Sequence, residues 1–144
     1  MDGQFITTNG DSFTWFSVEG LQLGESTTSI EALFVRCFSK HSYICGDGNN
    51  VISHTKDERK QFTYSSPTLS TPRGIDVDME GNVYIVGFDS NNIHQITSEG
   101  EHVRKISTTD FGISNPWVLR FKPNSAVFLL TSYGTGKIFI CKID

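Results

Sequence analysis

Four residues able to hold a transition metal crowd into one short stretch: Cys37, His41, Cys45 and His54. Tetrahedral zinc needs four converging nitrogen or sulfur ligands, and knuckles usually supply a Cys-x2–4-Cys pair. Here the cysteines stand on neighbouring strands with His54 a loop away, so ordinary strand residues are the better account and no metal is expected. Asp47-Gly48-Asn49 and Asp89-Ser90-Asn91 have the residue types of calcium loops. An EF-hand opening at Asp47 would need a Gly where Ile52 stands and an oxygen ligand at Val51, so both segments are read as turns, although Glu58 falls at the twelfth position. Gly134-Thr135-Gly136-Lys137 fails as a phosphate loop, because Thr131 replaces the leading Gly and Ile138 replaces the magnesium-binding Ser/Thr. No Gly-x-Ser-x-Gly nucleophile appears and nothing marks a Ser-His-Asp set. Neither a cofactor nor catalysis is expected.

The elements that would carry these residues are strands. In 144 residues there are 13 Gly and 11 Phe but only 2 Met. Ile, Val, Phe, Tyr, Trp and Thr far outnumber Ala, Leu and Met, which favours strands over helices. No window is apolar enough for a membrane-spanning helix, so no membrane partner is expected. Met1-Asp2-Gly3-Gln4 has neither a basic nor an apolar leader, and the 3 Cys cannot all pair, with no Asn-x-Ser/Thr sequon in the chain. A reducing, cytoplasmic location is expected, with Cys37 and Cys45 as thiols.

Gly74-Ile75-Asp76-Val77-Asp78 alternates apolar and polar, and Met79-Glu80-Gly81-Asn82 turns the chain. Val83-Tyr84-Ile85-Val86 is an apolar run suited to a strand covered on both faces. A polar loop from Gly87 to Asn92, then Ile93-His94-Gln95-Ile96, a turn at Ser98-Glu99-Gly100-Glu101, and a strand from His102 to Ser107 complete a meander. The unit recurs. Pro72 returns as Pro116, Val118-Leu119-Arg120-Phe121 stands for Gly74 to Val77, Phe128-Leu129-Leu130-Thr131 for Val83 to Val86, and Ile138-Phe139-Ile140 for the third strand. Upstream, Leu33-Phe34-Val35 matches Ile75 to Val77, and Tyr43-Ile44-Cys45 matches Tyr84 to Val86. An earlier part-unit runs from Phe5-Ile6-Thr7 through Phe13 to Val18 and closes on Glu19-Gly20 as the central unit closes on Glu99-Gly100.

A four-strand unit recurring at this spacing predicts an all-β fold, a partial β-propeller of about three to four four-stranded antiparallel blades. An evenly spaced β-sandwich is the alternative, but it would not repeat the loop chemistry. The expected divisions of this single domain are a part-blade at 3–25, blades at 30–65 and 72–107, and a part-blade at 116–143. The chain begins mid-blade and ends after a third strand, which is expected of a fragment of a longer protein or of a half that closes a ring by dimerising. Its open blade faces would leave apolar patches and favour self-association.

Pro72 to Val86, followed by Asn91-Asn92-Ile93 and Ser98-Glu99-Gly100, resembles an NHL repeat. The match is good over Pro72 to Ile106, fair over Pro116 to Ile143 and degenerate before about residue 65; Gly87-Phe88 stands where the family often has a small residue and Asp. NHL repeats form propellers, commonly six-bladed, at the C-terminus of tripartite-motif (TRIM) proteins. The resemblance implies a non-catalytic protein-interaction module that selects a substrate for ubiquitination, while ligase chemistry would reside in RING and B-box segments that this sequence lacks. Two other classes follow from relatives: an RNA-binding propeller face, and part of a six-bladed hydrolase or lyase holding a channel metal, to which His94 and Asp89 could belong.

Charge argues against RNA. Residues 1–116 carry 8 basic and 15 acidic groups, and only 117–144 is net positive, through Arg120, Lys122, Lys137 and Lys142. Strand alternation would not place those four on one face, whereas a phosphate backbone favours a clustered positive surface. A protein partner fits better. The loops joining second to third strands, and fourth to next first strands, line one rim of a propeller, and here they hold Arg73, Phe88, Asp89, Trp117 and Tyr133. Aromatics with an Arg are the residue types that anchor interfaces. The competing account is that Trp117 packs between blades and Phe88 shields its own loop.

Overall fold

In the computed structural model, residues 4–8, 12–27, 34–39, 42–55, 57 and 59–144 are described. Leu33 and His41, used above for strand matching and for zinc, lie outside them. The chain divides into two compact units, Met1–Thr63 and Tyr64–Asp144.

The first unit holds two antiparallel sheets. One is β1 (Gln4–Thr8), β2 (Ser12–Ser17) and β3 (Gln22–Thr27) in that order; the other is β4 (Val35–Ser39), β5 (Ser42–Asp47), β6 (Asn50–Thr55) and β7 (Lys60–Tyr64), whose last residue opens the second unit. Phe13 and Trp15 from the first sheet pack with Tyr43, Cys45 and Ile52 from the second, and Phe13 and Tyr43 bring their ring centroids to 4.7 Å. In the second sheet Val35 pairs with Cys45 and Cys37 with Tyr43. β5 and β6 pair as far as Asp47 and Asn50, leaving Gly48-Asn49 as a tight turn.

The second unit contains the four-stranded sheet β8 (Pro72–Val77), β9 (Val83–Gly87), β10 (Asn92–Ile96) and β11 (His102–Ser107), a short 3-10 helix at Thr109–Phe111, and the three-stranded sheet β12 (Pro116–Phe121), β13 (Val127–Ser132) and β14 (Ile138–Lys142). Every residue of β9 is buried, as the apolar run Val83-Tyr84-Ile85-Val86 requires. Tyr84, Val86 and Ile93 pack against Leu119, Phe128 and Leu130 of the next sheet; each such side chain contributes roughly 1.5–3 kcal/mol when withdrawn from water. The two sheets approach closely at Gly74, where a Cβ would stand 2.7 Å from the Trp117 carbonyl oxygen.

One turn chemistry recurs at three strand connections. Asp78 accepts hydrogen bonds from the Glu80 and Asn82 backbone N–H groups, both at 2.9 Å. Thr97 Oγ1 does the same for Glu99 and Glu101, and Ser17 Oγ for Glu19 and Leu21. Each turn places Gly at positive φ: Gly81 at 89°, Gly100 at 88° and Gly20 at 85°. A short oxygen-bearing side chain supplies the acceptor, and a glycine meets the left-handed backbone without a Cβ clash. The Ser17 turn joins β2 to β3 as the Thr97 turn joins β10 to β11.

Candidate functional site

Arg73 and Trp117 are each the second residue of a first strand, in β8 and β12, rather than loop residues. Phe88 directly follows β9 and Tyr133 directly follows β13. Matching hydrogen bonds set both loops: the Phe88 N–H donates to the Thr71 carbonyl at 3.0 Å, and the Tyr133 N–H to the Asn115 carbonyl at 2.9 Å. Thr71 and Asn115 stand before Pro72 and Pro116 at φ values of 52° and 46°. Such a backbone is rare outside glycine, and here it turns each carbonyl toward the loop beyond the neighbouring strand. Further ties reinforce each pair. Ser132 Oγ donates to the Ser114 carbonyl at 2.6 Å, and the Ser70 N–H donates to Ser90 Oγ at 3.0 Å.

These supports bring four of the five rim residues together. Trp117 and Tyr133 have ring centroids 4.9 Å apart, and Phe88 lies edge-on to both, at 5.4 Å from Trp117 and 5.7 Å from Tyr133. The Arg73 guanidinium sits 5.2 Å above the Trp117 ring, a cation–π contact worth about 0.5–1 kcal/mol or more as water is excluded. Arg73 Nε is buried and has no hydrogen-bond acceptor among the described residues. Phe88 and Trp117 are half-buried, so the packing account holds for part of their surface; Tyr133 is 61% exposed. Asp89 is exposed, but its carboxylate is engaged by the Thr71 hydroxyl rather than by the aromatic group.

The other chemistry-bearing residues are held by neighbours. His94 is fully buried on β10; its Nδ1 lies 2.7 Å from the Tyr64 hydroxyl and its Nε2 3.5 Å from Thr68 Oγ1. Burial pushes its pKa down, aided by the nearby His102 and Lys105 charges and opposed by a hydrogen bond to the Thr68 backbone. Cys45 is buried with its thiol pushed up to about 12, first by burial and then by Asp47. His54 stacks on Tyr43 at 5.5 Å. Asn91 accepts the Asn115 N–H at 2.7 Å, and Ser90 bonds Asn92 at 2.9 Å, so the Asp89-Ser90-Asn91 loop is tied to its own fold. Gly134 to Lys137 forms the exposed connection from β13 to β14, with the Lys137 N–H on Thr135 Oγ1. Of the four basic residues near the end, Arg120 donates from Nη1 to the Ile75 carbonyl at 2.9 Å.

Sequence reasoning overlooked Asp76, Thr71 and Asn115. Asp76 was one polar residue in an alternating strand, yet it is 1% exposed and accepts the Phe121 N–H across the two sheets. The return of Thr71-Pro72-Arg73 as Asn115-Pro116-Trp117 was the available signal for the other two.

No family model matches the chain, and no curated protein does. Solved structures do. The β-propeller domain of Myceliophteria thermophila Cps50 (Swd1) superposes with a TM-score of 0.73 at 11% identity, over 99% of this chain and 51% of that one. A streptogramin B lyase gives 0.64 at 16% identity over 99% and 52%, and virginiamycin B lyase from Staphylococcus aureus gives 0.65 at 16% over 99% and 53%. The chain thus spans about half the length of the structures it matches. Identities this low speak to the fold alone: the chain is all-β, with antiparallel sheets of three and four strands arranged as part of a β-propeller.

Proposed function

We propose that this chain is a non-catalytic protein-interaction module whose contact surface is the Arg73, Phe88, Trp117 and Tyr133 group. The observation that carries the proposal is the position of Tyr133: largely exposed, yet backed by Trp117, which in turn carries the Arg73 guanidinium. An exposed aromatic on a rigid support loses little side-chain entropy on binding, and Tyr, Trp and Arg are the types that dominate interface energetics. Asp89, on the Phe88 side, would supply a polar margin. In the TRIM/NHL reading, this surface selects the substrate for a ligase whose catalytic segments lie outside these 144 residues.

The fold alone does not choose between binding and catalysis, since the matched structures include both a propeller domain and lyases. The engaged side chains favour binding. Both His94 nitrogens face hydroxyl groups and the Asp89 carboxylate is taken by Thr71, which leaves the channel-metal reading without its two candidate ligands. The RNA reading loses Arg120 to a backbone carbonyl.

Affinity capture with the full chain, compared between wild type and Tyr133→Ala, tests the proposal. A partner held by wild type should be lost or weakened about tenfold by the variant, a change near 1.4 kcal/mol, with the circular dichroism spectrum unchanged. An identical set of captured proteins for both would overturn it.

A further inference from the structure

Arg73 brings a charge into the rim group that its surroundings leave unanswered. A guanidinium carries five N–H donors in a fixed fork and accepts nothing. Three other arginines direct theirs to oxygen. Arg59 reaches Asp57 at 2.6 and 2.8 Å, Arg104 reaches Gln95 Oε1 at 2.7 Å, and Arg120 reaches the Ile75 and Leu119 carbonyls at 2.9 and 2.8 Å. Arg73 has no such acceptor among the described residues: its Nε is buried without one, and its charge faces the Trp117 ring. A ring face attracts a cation but offers no lone pair to an N–H group. Asp89, which follows Phe88, is held by the Thr71 hydroxyl instead. Arg73 as a whole is half-buried and only its Nε is sealed off, so the two terminal nitrogens can be reached from solvent.

We infer that the rim group recognises an acidic peptide, whose Asp or Glu carboxylate accepts the free Arg73 N–H groups while an adjoining apolar side chain lies on Tyr133 and Phe88. The inference rests on the rim group being the contact surface proposed above. A carboxylate matches the guanidinium fork in shape and charge, and it supplies the acceptors that Trp117 lacks. Lys137 adds a second, exposed cation at the far end of the loop that begins with Tyr133. The Ser132 N–H closes that loop on the Lys137 carbonyl at 3.3 Å. Asp89 is exposed beside Phe88, and its negative charge disfavours a run of phosphates, which needs a clustered positive surface. A single carboxylate flanked by apolar residues fits one open guanidinium set among three aromatic rings.

A library of random linear peptides displayed on phage and selected on the full chain supplies the probe. The recovered peptides should share an Asp or Glu next to an aromatic or aliphatic residue. The tightest of them is synthesised with its acid and with the corresponding Asn or Gln, and both forms are titrated against wild type, Arg73→Met, Arg73→Lys and Tyr133→Ala. Wild type should bind the amide form about tenfold more weakly than the acid. Arg73→Met should bind the two forms alike, because the group that distinguishes them is gone, and Arg73→Lys should restore part of the preference. If Arg73→Met does not fold, the wild-type and Arg73→Lys titrations still decide. No recovered binder, binders without a shared acid, or an acid preference that persists in Arg73→Met would each overturn the inference. Binding that is lost in Tyr133→Ala but indifferent to the acid would remove the acidic partner and leave the contact surface standing. Binding indifferent to Tyr133→Ala as well would remove both.

Discussion

The Phe121 backbone N–H donates to the carboxylate of Asp76 across the gap between two sheets, at 2.8 Å. The other Asp76 oxygen accepts the N–H of Val77 at 2.9 Å, and the side chain is 1% exposed. Arg120, beside Phe121, reaches back to the Ile75 carbonyl. One buried carboxylate thus satisfies two backbone donors and joins β8 to β12.

Asp76→Ala leaves both N–H groups buried without an acceptor and should cost about 2–5 kcal/mol of stability. Asp76→Asn retains one acceptor oxygen and should cost less. Urea denaturation of the two variants measures the difference; equal, small losses would show that the carboxylate does not join the sheets.

Two glycines separate the reasons for needing glycine. At Gly74 a Cβ would press on backbone atoms of Trp117 and Leu119 at 2.7 and 3.0 Å, so Gly74→Ala must force β8 and β12 apart, at a cost of about 1–3 kcal/mol. At Gly81 nothing lies within 4 Å, but φ is 89°. Gly81→Ala should therefore cost only the backbone strain, about 1 kcal/mol. Thermal unfolding should rank Gly74→Ala below Gly81→Ala, and the reverse order would contradict the close approach.

The meander from Val83 to Ser107 could be read from the sequence because each strand has an uninterrupted apolar or alternating pattern between glycine turns. The sequence put Arg73 and Trp117 in loops rather than on strands, but the equivalent repeat positions of Arg73 and Trp117, and of Phe88 and Tyr133, are the signal for their packing together. What could not be read was the bonding between sheets. Asp76 looks like an outward residue in an alternating strand, and nothing local announces that a backbone N–H from β12 will face it. The Asp47-Gly48-Asn49 turn was legible from its residue types, but not that Asp47 and Asn50 form the last pair of the β5–β6 ladder. Likewise His94 has the type of a metal ligand, and only the fold brings Tyr64 and Thr68 to its two nitrogens.

Cys45 should resist alkylation in the folded chain. With its pKa at about 12, only about one thiol in ten thousand is ionised at pH 8, and the sulfur is fully buried. Iodoacetamide followed by peptide mass mapping should label Cys45 only after denaturant is added. Labelling of the native chain at a rate near that of a free thiol would mean that β5 opens readily.

His94 makes stability depend on pH, and the sign follows from its burial. Its folded pKa lies below the usual value of 6.5, so the unfolded chain takes up the proton first as pH falls. Above 6.5 the imidazole is neutral in both states and its packing against Tyr64 contributes fully. Below 6.5 the unfolded state gains protonation free energy that the folded state cannot match until its own lower pKa is reached. The unfolding free energy should accordingly decline as pH drops through 6.5 toward the folded pKa and then level off. His94→Gln removes this titration while keeping an acceptor for the Tyr64 hydroxyl, so its stability should start lower at neutral pH and fall less steeply on acidification. Urea unfolding of both proteins at a series of pH values compares the slopes, and parallel curves would show that the decline belongs to other groups.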